Sequence, residues 1–413
     1  MRRVVLTGVG AITPLGPDAG SFFDALVAGR SGIRKLDETW SDSSTIRIAA
    51  PVVQDLDSTF PKLKLISLDR VAKLALLATR QAVVQAGIDF RGESSERTGI
   101  YWGTGMGGAT TLETAYTELL VKHAPRLRPT TIVMAMNNSA TGQIGIEYGL
   151  RGPSYTYSSA CSSSAVAIGE AFRAIRFGLV DIAIAGGAEA LLTQGVIKAW
   201  ESLQTLAKVD DERPETSCRP FALDRSGFVL GEGAAALLLE SEQSAETRGA
   251  KILAEIVGYG NTTDGINITQ PDAGGQARAM SQALAEAGLS PEQVDYLNAH
   301  GTGTKVGDVS ETSAIKRVFG EHAWRLPVSA TKALHGHLMG AAGAVELVAT
   351  LETLRTRIAP PTAHLFHPDP ECDLDYVSAG ARELPDMDVA MSNSFGFGGN
   401  NAVILVKRYE RRT

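Results

Sequence analysis

Cys161 lies in the stretch SYTYSSACSSSAVAIGEAFRAI, between a strand-like run and a helical one. Ala165, Ile168, Phe172 and Ile175 follow it at helical spacing, and Gly178 closes the run. The thiol therefore falls at or beside a helix N-terminus, where unpaired backbone N–H groups and the helix dipole favour a thiolate. Its small Ser and Ala neighbours leave room for a substrate. The commoner fate of a lone cysteine is burial as a small hydrophobe. Cys218 in RPETSCRPF and Cys372 in DPECDLD have no such surroundings and read as structural.

Two of the chain's seven histidines stand on strand-end loops. His300 ends an apolar run and opens GTGTKVGD. His337 lies between VSATK and an apolar helical pattern that begins after Gly340. One Cys–His pair ordinarily points to a hydrolase or acyltransferase. Two histidines suit another task, in which neutral Nε2–H groups hold a thioester carbonyl while an enolate develops. Lys332 and Glu346 are the nearest charged companions in sequence, either paired to orient the site or simply exposed. The loop GTGMGG (103–108) lacks the Lys-Ser/Thr ending of a phosphate-binding loop. The backbone of SFGFGGNN offers either an oxyanion hole or a tight turn before the last strand.

Ten short apolar runs must position these groups: 4–10, 98–105, 154–160, 181–187, 234–240, 252–260, 294–301, 326–331, 389–396 and 401–407. Helical patterns separate them, among them 69–86 ending at Gly87 and 275–287 ending at Gly288. Strands alternating with helices predict an α/β fold. The chain also echoes itself: helix, strand and Gly-rich loop recur as 69–105 and 275–304. Strand, small-residue loop and helix recur around Cys161 and around His337. Two similar halves follow, near 1–248 with Cys161 and near 249–413 with His300, Lys332 and His337. A duplicated unit places its site where the halves meet, so Cys161 and His337 are expected side by side.

The chain has 413 residues and a net charge of −7, and no long basic run supports nucleic-acid binding. Three scattered cysteines form neither a disulfide framework nor a CxxC zinc site, which suits a reducing cytoplasm. The start MRRVVLTGVGAITPLG is too broken for a signal peptide, and no apolar run of about 18 residues would span a membrane.

Taken together, SSACSSSA, GGAEA, GFVLGEGAAALLLE, NAHGTGTKVGD, TKALHGHLMGAAGAVE and SNSFGFGGNN resemble the β-ketoacyl-acyl carrier protein synthases, and most closely their synthase II branch. The resemblance covers nearly the whole chain. It implies a thiolase-like fold of two halves layered α-β-α-β-α, and a decarboxylative condensation in fatty-acid or type II polyketide elongation. It implies that Cys161 accepts the acyl group, with the backbone N–H groups of Cys161 and Phe397 as the oxyanion hole. His300 and His337 would assist decarboxylation, and Lys332 with Glu346 would organise them. Thr302 and Thr304 would contact phosphopantetheine, Phe397 would gate the acyl pocket with Phe395 close by, and Met106 would stand in the pocket wall. No metal or redox cofactor is expected. The expected partners are an acyl carrier protein and a second subunit, either a copy of this chain or a chain-length factor. Lys62, Lys64, Arg70, Arg126 and Arg128 are candidates for a basic rim toward the acidic carrier. A non-catalytic chain-length-factor role is the alternative, and Cys161 with both histidines argues against it. The chain departs from the family at Lys305, where Pro is usual, and at His335, an extra histidine in TKALHGH.

Overall fold

Ten strands form one continuous mixed sheet in the computed structural model, which describes residues 1–36 and 45–411. They are β1 (Val4–Ile12), β2 (Thr98–Gly103), β3 (Ser154–Tyr157), β4 (Ile182–Glu189) and β5 (Gly233–Ser241), then β6 (Ala254–Thr263), β7 (Tyr296–Asn298), β8 (Val328–Ser329), β9 (Val389–Gly396) and β10 (Asn400–Lys407). Each apolar run of the sequence supplies one strand. The sheet order is β8-β7-β9-β10-β6-β1-β5-β4-β2-β3.

That order is a mirror: each of the first five strands has its counterpart five strands later. Directions repeat as well. β2 runs parallel to β3 and β4, and β5 is antiparallel to β4 and β1. Likewise β7 runs parallel to β8 and β9, and β10 is antiparallel to β9 and β6. The halves are joined where Val4–Leu6 of β1 pairs with Ala254–Ile256 of β6.

Five long helices complete the layers: α1 (Arg70–Ala86), α2 (Ser163–Arg176), α3 (Ala273–Ala287), α4 (Lys305–Phe319) and α5 (Ala342–Thr356). Asp69 caps α1 by accepting the Val71 N–H, and Gly87 ends it at φ +60°. α1 covers β1 and β5 from outside, while α3 covers β6 and β10 with α4 beside it. α2 and α5 contact each other and strands of both halves, so they form the central layer between the folded halves of the sheet. Every residue of α5 from Ala342 to Leu354 is buried, as a helix with no solvent face requires.

The crossing of α2 and α5 brings the two functional loops together. A Cβ on Gly343 would sit 2.8 Å from the Ala165 Cβ and 2.9 Å from the Ala165 nitrogen. Only glycine lets the first turn of α5 approach the first turn of α2 so closely. Cys161 lies just before α2, and His337 just before α5.

Candidate active site

β3 leads into the single turn Ala160–Ser162, and α2 starts at Ser163. Ala160 has φ +52°, a conformation sparsely used by residues with side chains and often found at functional turns. Serines hold this turn: Ser163 Oγ donates to Ala160 O at 2.6 Å and accepts the Ser159 N–H at 2.9 Å. Cys161 is 6% exposed and lines a pocket of about 300 Å3 together with His300, Thr302, Thr304, His337, Phe395 and Phe397. The Cys161 sulfur and one ring nitrogen from each of His300 and His337 lie within 4.8 Å of one another.

Hydrogen bonds set the tautomer of both imidazoles. Met339 N–H donates to His337 Nδ1 at 3.2 Å, so the proton of a neutral His337 ring sits on Nε2. Among the described residues Nε2 itself has no partner. Lys332 Nζ donates to His300 O at 2.6 Å and lies 3.3 Å from His300 Nδ1, which puts the His300 proton on Nε2 by the same logic. Lys332 also pairs with Glu346, and both are fully buried. The backbone of His337 is fixed on each side, with its N–H on Val229 O at 2.7 Å and its carbonyl accepting Gly231 N–H at 2.9 Å. The His300 and His337 rings meet edge to face with centroids 5.5 Å apart.

Burial dominates the electrostatics. It pushes the Cys161 thiol up to about 12, against the opposing pull of the Lys332 charge and the Phe397 N–H. The thiolate expected from the helix N-terminus is therefore overruled, because desolvation of the anion outweighs those attractions. Burial and then the Lys332 charge hold His300 and His337 well below their usual range, so both rings are neutral donors. Glu346 is pushed up to about 7 by burial, despite Lys332 beside it.

The Phe397 N–H points at the Cys161 sulfur, and Gly396 makes that approach possible. A Cβ at Gly396 would lie 2.7 Å from Ser159 O and 3.1 Å from Cys161 N. Gly396 thus packs directly against the backbone of the Cys161 turn. Thr302 and Thr304 stand in the same pocket with their hydroxyls 3.0 Å apart.

Met106 is elsewhere. It is not among the residues lining the Cys161 pocket; it is 49% exposed in a separate apolar groove with Ala109, Leu112, Val196 and Trp200. His335 also turns away from the pocket: its Nε2 meets Thr331 Oγ1 at 3.0 Å and its ring packs on Phe22. Of the basic-rim candidates, Lys64 is paired with Glu147 and Arg70 with Glu232. Lys62, Arg126 and Arg128 are exposed.

Three positioning groups were not anticipated. Glu311 on α4 accepts the N–H groups of His300 and Gly301, each at 2.8 Å, and the Asn393 amide at 3.1 Å. Glu189 at the end of β4 accepts Gly105 N–H at 2.6 Å, Met106 N–H at 3.2 Å and Gly340 N–H at 2.8 Å. Buried Arg225 ties Asp369 to the carbonyls of Thr304 and Lys305. A carboxylate that accepts distant backbone amides leaves no local pattern; only the i, i+11 spacing of His300 and Glu311 hints at a strand-loop-helix return.

The arrangement puts a buried thiol, a backbone N–H and two neutral imidazoles in one pocket. Residues 1–245 match the family model described as the N-terminal domain of β-ketoacyl synthases, and residues 253–366 match the C-terminal domain. The chain is 41% identical to 3-oxoacyl-[acyl-carrier-protein] synthase 2 of Staphylococcus aureus strain N315, over 99% of both chains. It is 44% identical to nodulation protein E of Rhizobium meliloti strain 1021, over 98% of this chain and 99% of the relative. The crystal structure of a β-ketoacyl synthase from Burkholderia phymatum STM815 superposes with a TM-score of 0.91 at 36% identity, over 99% of this chain and 100% of that one.

Proposed function

The chain belongs to the β-ketoacyl synthase family, and from that premise we propose how its own residues carry out the condensation and with whom. It is an acyltransferase that makes 3-oxoacyl thioesters on a carrier protein. Cys161 attacks the thioester of an acyl carrier protein. Its thiol proton leaves with the departing phosphopantetheine thiolate, and the tetrahedral oxyanion rests on the Cys161 and Phe397 N–H groups. A malonyl carrier protein then enters. Its carboxylate leaves as CO2, and the electron pair of the broken C–C bond becomes an enolate whose oxygen accepts hydrogen bonds from His300 and His337 Nε2–H. The enolate carbon attacks the Cys161 thioester and displaces the Cys161 sulfur. Lys332 holds His300 in the required tautomer while Glu346 balances its charge, and Thr302 and Thr304 bind the phosphopantetheine arm.

The observation that carries this reading is the pair of neutral rings, each with Nδ1 facing a donor and so its proton on Nε2, and each with a ring nitrogen within 4.8 Å of the Cys161 sulfur. Neutral donors suit an enolate that must later give up its charge to a new bond. The chain works as a dimer, with itself or with a chain-length factor; the exposed apolar residues Leu120, Val121, Ile132 and Val133 support a covered face. No helix among the described residues is long and apolar enough to cross a membrane, and the cytoplasm is the proposed home. Substrates of fatty-acid and of type II polyketide elongation are both in scope. The test is product analysis of acyl and malonyl carrier proteins mixed with enzyme. A β-ketoacyl carrier protein that Cys161→Ala fails to form supports the assignment; equal product from the variant defeats it.

A further inference from the structure

The motif GGAEA carries Glu189 at the end of β4, where it is fully buried. Its Oε1 accepts the Thr104 hydroxyl and the Met106 N–H, each at 3.2 Å. Its Oε2 accepts the Gly105 N–H at 2.6 Å from the same loop, and the Gly340 N–H at 2.8 Å from the other half of the chain. No step of the condensation uses an atom of this carboxylate, yet its contact with Gly340 lies one residue from a group that sets the chemistry of His337.

That group is the Met339 N–H, which donates to His337 Nδ1 at 3.2 Å. Met339 has φ +45°. A residue with a Cβ keeps that conformation only where its surroundings hold it there. Here the backbone is held on both sides: the Gly340 N–H rests on Glu189, and the Ala341 N–H donates to Leu338 O at 2.9 Å. The N–H groups of Met339 and Gly340 flank one Cα. With Met339 held in this conformation, the direction of one sets the direction of the other.

We propose that Glu189 is a positioning residue for decarboxylation: by holding the Gly340 N–H it aims the Met339 N–H at His337 Nδ1, and so keeps the His337 proton on Nε2. The proposal rests on the condensing reading above. Glu189 acts through His337 and touches no reacting atom. Without it the peptide before Gly340 is free to turn, and Nδ1 loses its donor. The neutral ring then places its proton on either nitrogen. A ring protonated on Nδ1 presents a lone pair to the enolate oxygen and no longer holds it.

The experiment measures single-turnover rates of malonyl decarboxylation and of acyl loading, and reads the His337 tautomer by nitrogen NMR of isotope-labelled histidine. Glu189→Met removes every acceptor at similar length. It should lower the decarboxylation-to-loading ratio by ~10–100-fold, the loss typical when the partner that orients a ligating imidazole is removed. The Nε2–H form of His337 should give way to a mixture. Glu189→Gln keeps one oxygen for Gly340 and should bring the ratio back to within a few-fold of wild type. Thr104→Val loosens only the loop side and should leave the ratio unchanged. Glu189→Asp shortens the reach to Gly340 and should show the same signature as Glu189→Met, so it carries the test where Glu189→Met does not fold. A wild-type ratio in folded Glu189→Met or Glu189→Asp, or a lowered ratio with the His337 tautomer intact, overturns the positioning role alone. A ratio in Thr104→Val as low as in Glu189→Met overturns it too, since the effect then comes through the loop. No acylation of wild type by any donor overturns the condensing reading and the positioning role with it.

Discussion

Replacing His337 by alanine separates its two structural jobs. The ring presents Nε2–H to the pocket and accepts the Met339 N–H through Nδ1 at 3.2 Å. Alanine removes one of two side-chain donors to the enolate oxygen, a loss worth ~10²–10³-fold in rate by analogy with other oxyanion donors. It also strands the buried Met339 amide, which costs about 1–3 kcal/mol of stability. The backbone of residue 337 stays anchored on Val229 and Gly231 in the variant, since those bonds use no side-chain atom. The Cys161 and Phe397 N–H groups are untouched, so acyl loading should stay within a few-fold of wild type while malonyl decarboxylation collapses. Single-turnover assays of the two half-reactions, with thermal unfolding as a control, measure this. Normal decarboxylation by a folded His337→Ala enzyme, or equal loss in both half-reactions, would refute the division of labour.

Other expectations follow from the same geometry. Burial places the Cys161 thiol near 12, so its thiolate fraction, and with it iodoacetamide alkylation, should climb about tenfold per pH unit between roughly pH 7 and 9; a plateau below pH 8 would mean that the helix N-terminus outweighs burial after all. Because burial and Lys332 keep both histidines neutral, the decarboxylation rate should show no loss between about pH 8 and 6, where an ordinary histidine becomes protonated; a falling limb centred near 6.5 would count against two neutral donors. Gly396→Ala would drive a Cβ to 2.7 Å from Ser159 O, displacing the Phe397 N–H and lowering acyl loading ~10²-fold; a loading rate equal to wild type would remove that N–H from the oxyanion hole. Arg225→Met leaves Asp308 and Asp369 without their buried cation and should cost about 3–5 kcal/mol in urea unfolding; an unchanged midpoint would show the cluster to be dispensable.

Much of this was legible in the chain because its signals are local. All ten strands follow from apolar runs between Gly-rich turns, and α1 from its apolar spacing over 69–86 and its Gly87 stop. The echo between the Cys161 and His337 segments pointed to their meeting, which Gly343 and Ala165 then allow by close helix contact. The runs 294–301 and 326–331 were read longer than β7 and β8 turn out to be. Past Asn298 the amides of His300 and Gly301 leave the sheet ladder for the Glu311 carboxylate, and no apolar pattern records that change of partner. Glu189 was invisible for the same reason. The resemblance placed Met106 in the acyl wall, and only three-dimensional packing shows it in a separate groove with Trp200.

The central claim is that Cys161 carries the acyl group between two carrier proteins. Intact-protein mass spectrometry after mixing the enzyme with acyl carrier proteins of several lengths, followed by malonyl carrier protein, tests it directly. The account predicts an acyl adduct mapped to Cys161 that disappears as a β-ketoacyl carrier protein appears. An enzyme that forms product without such an adduct, or carries it on Cys218 or Cys372, would contradict it.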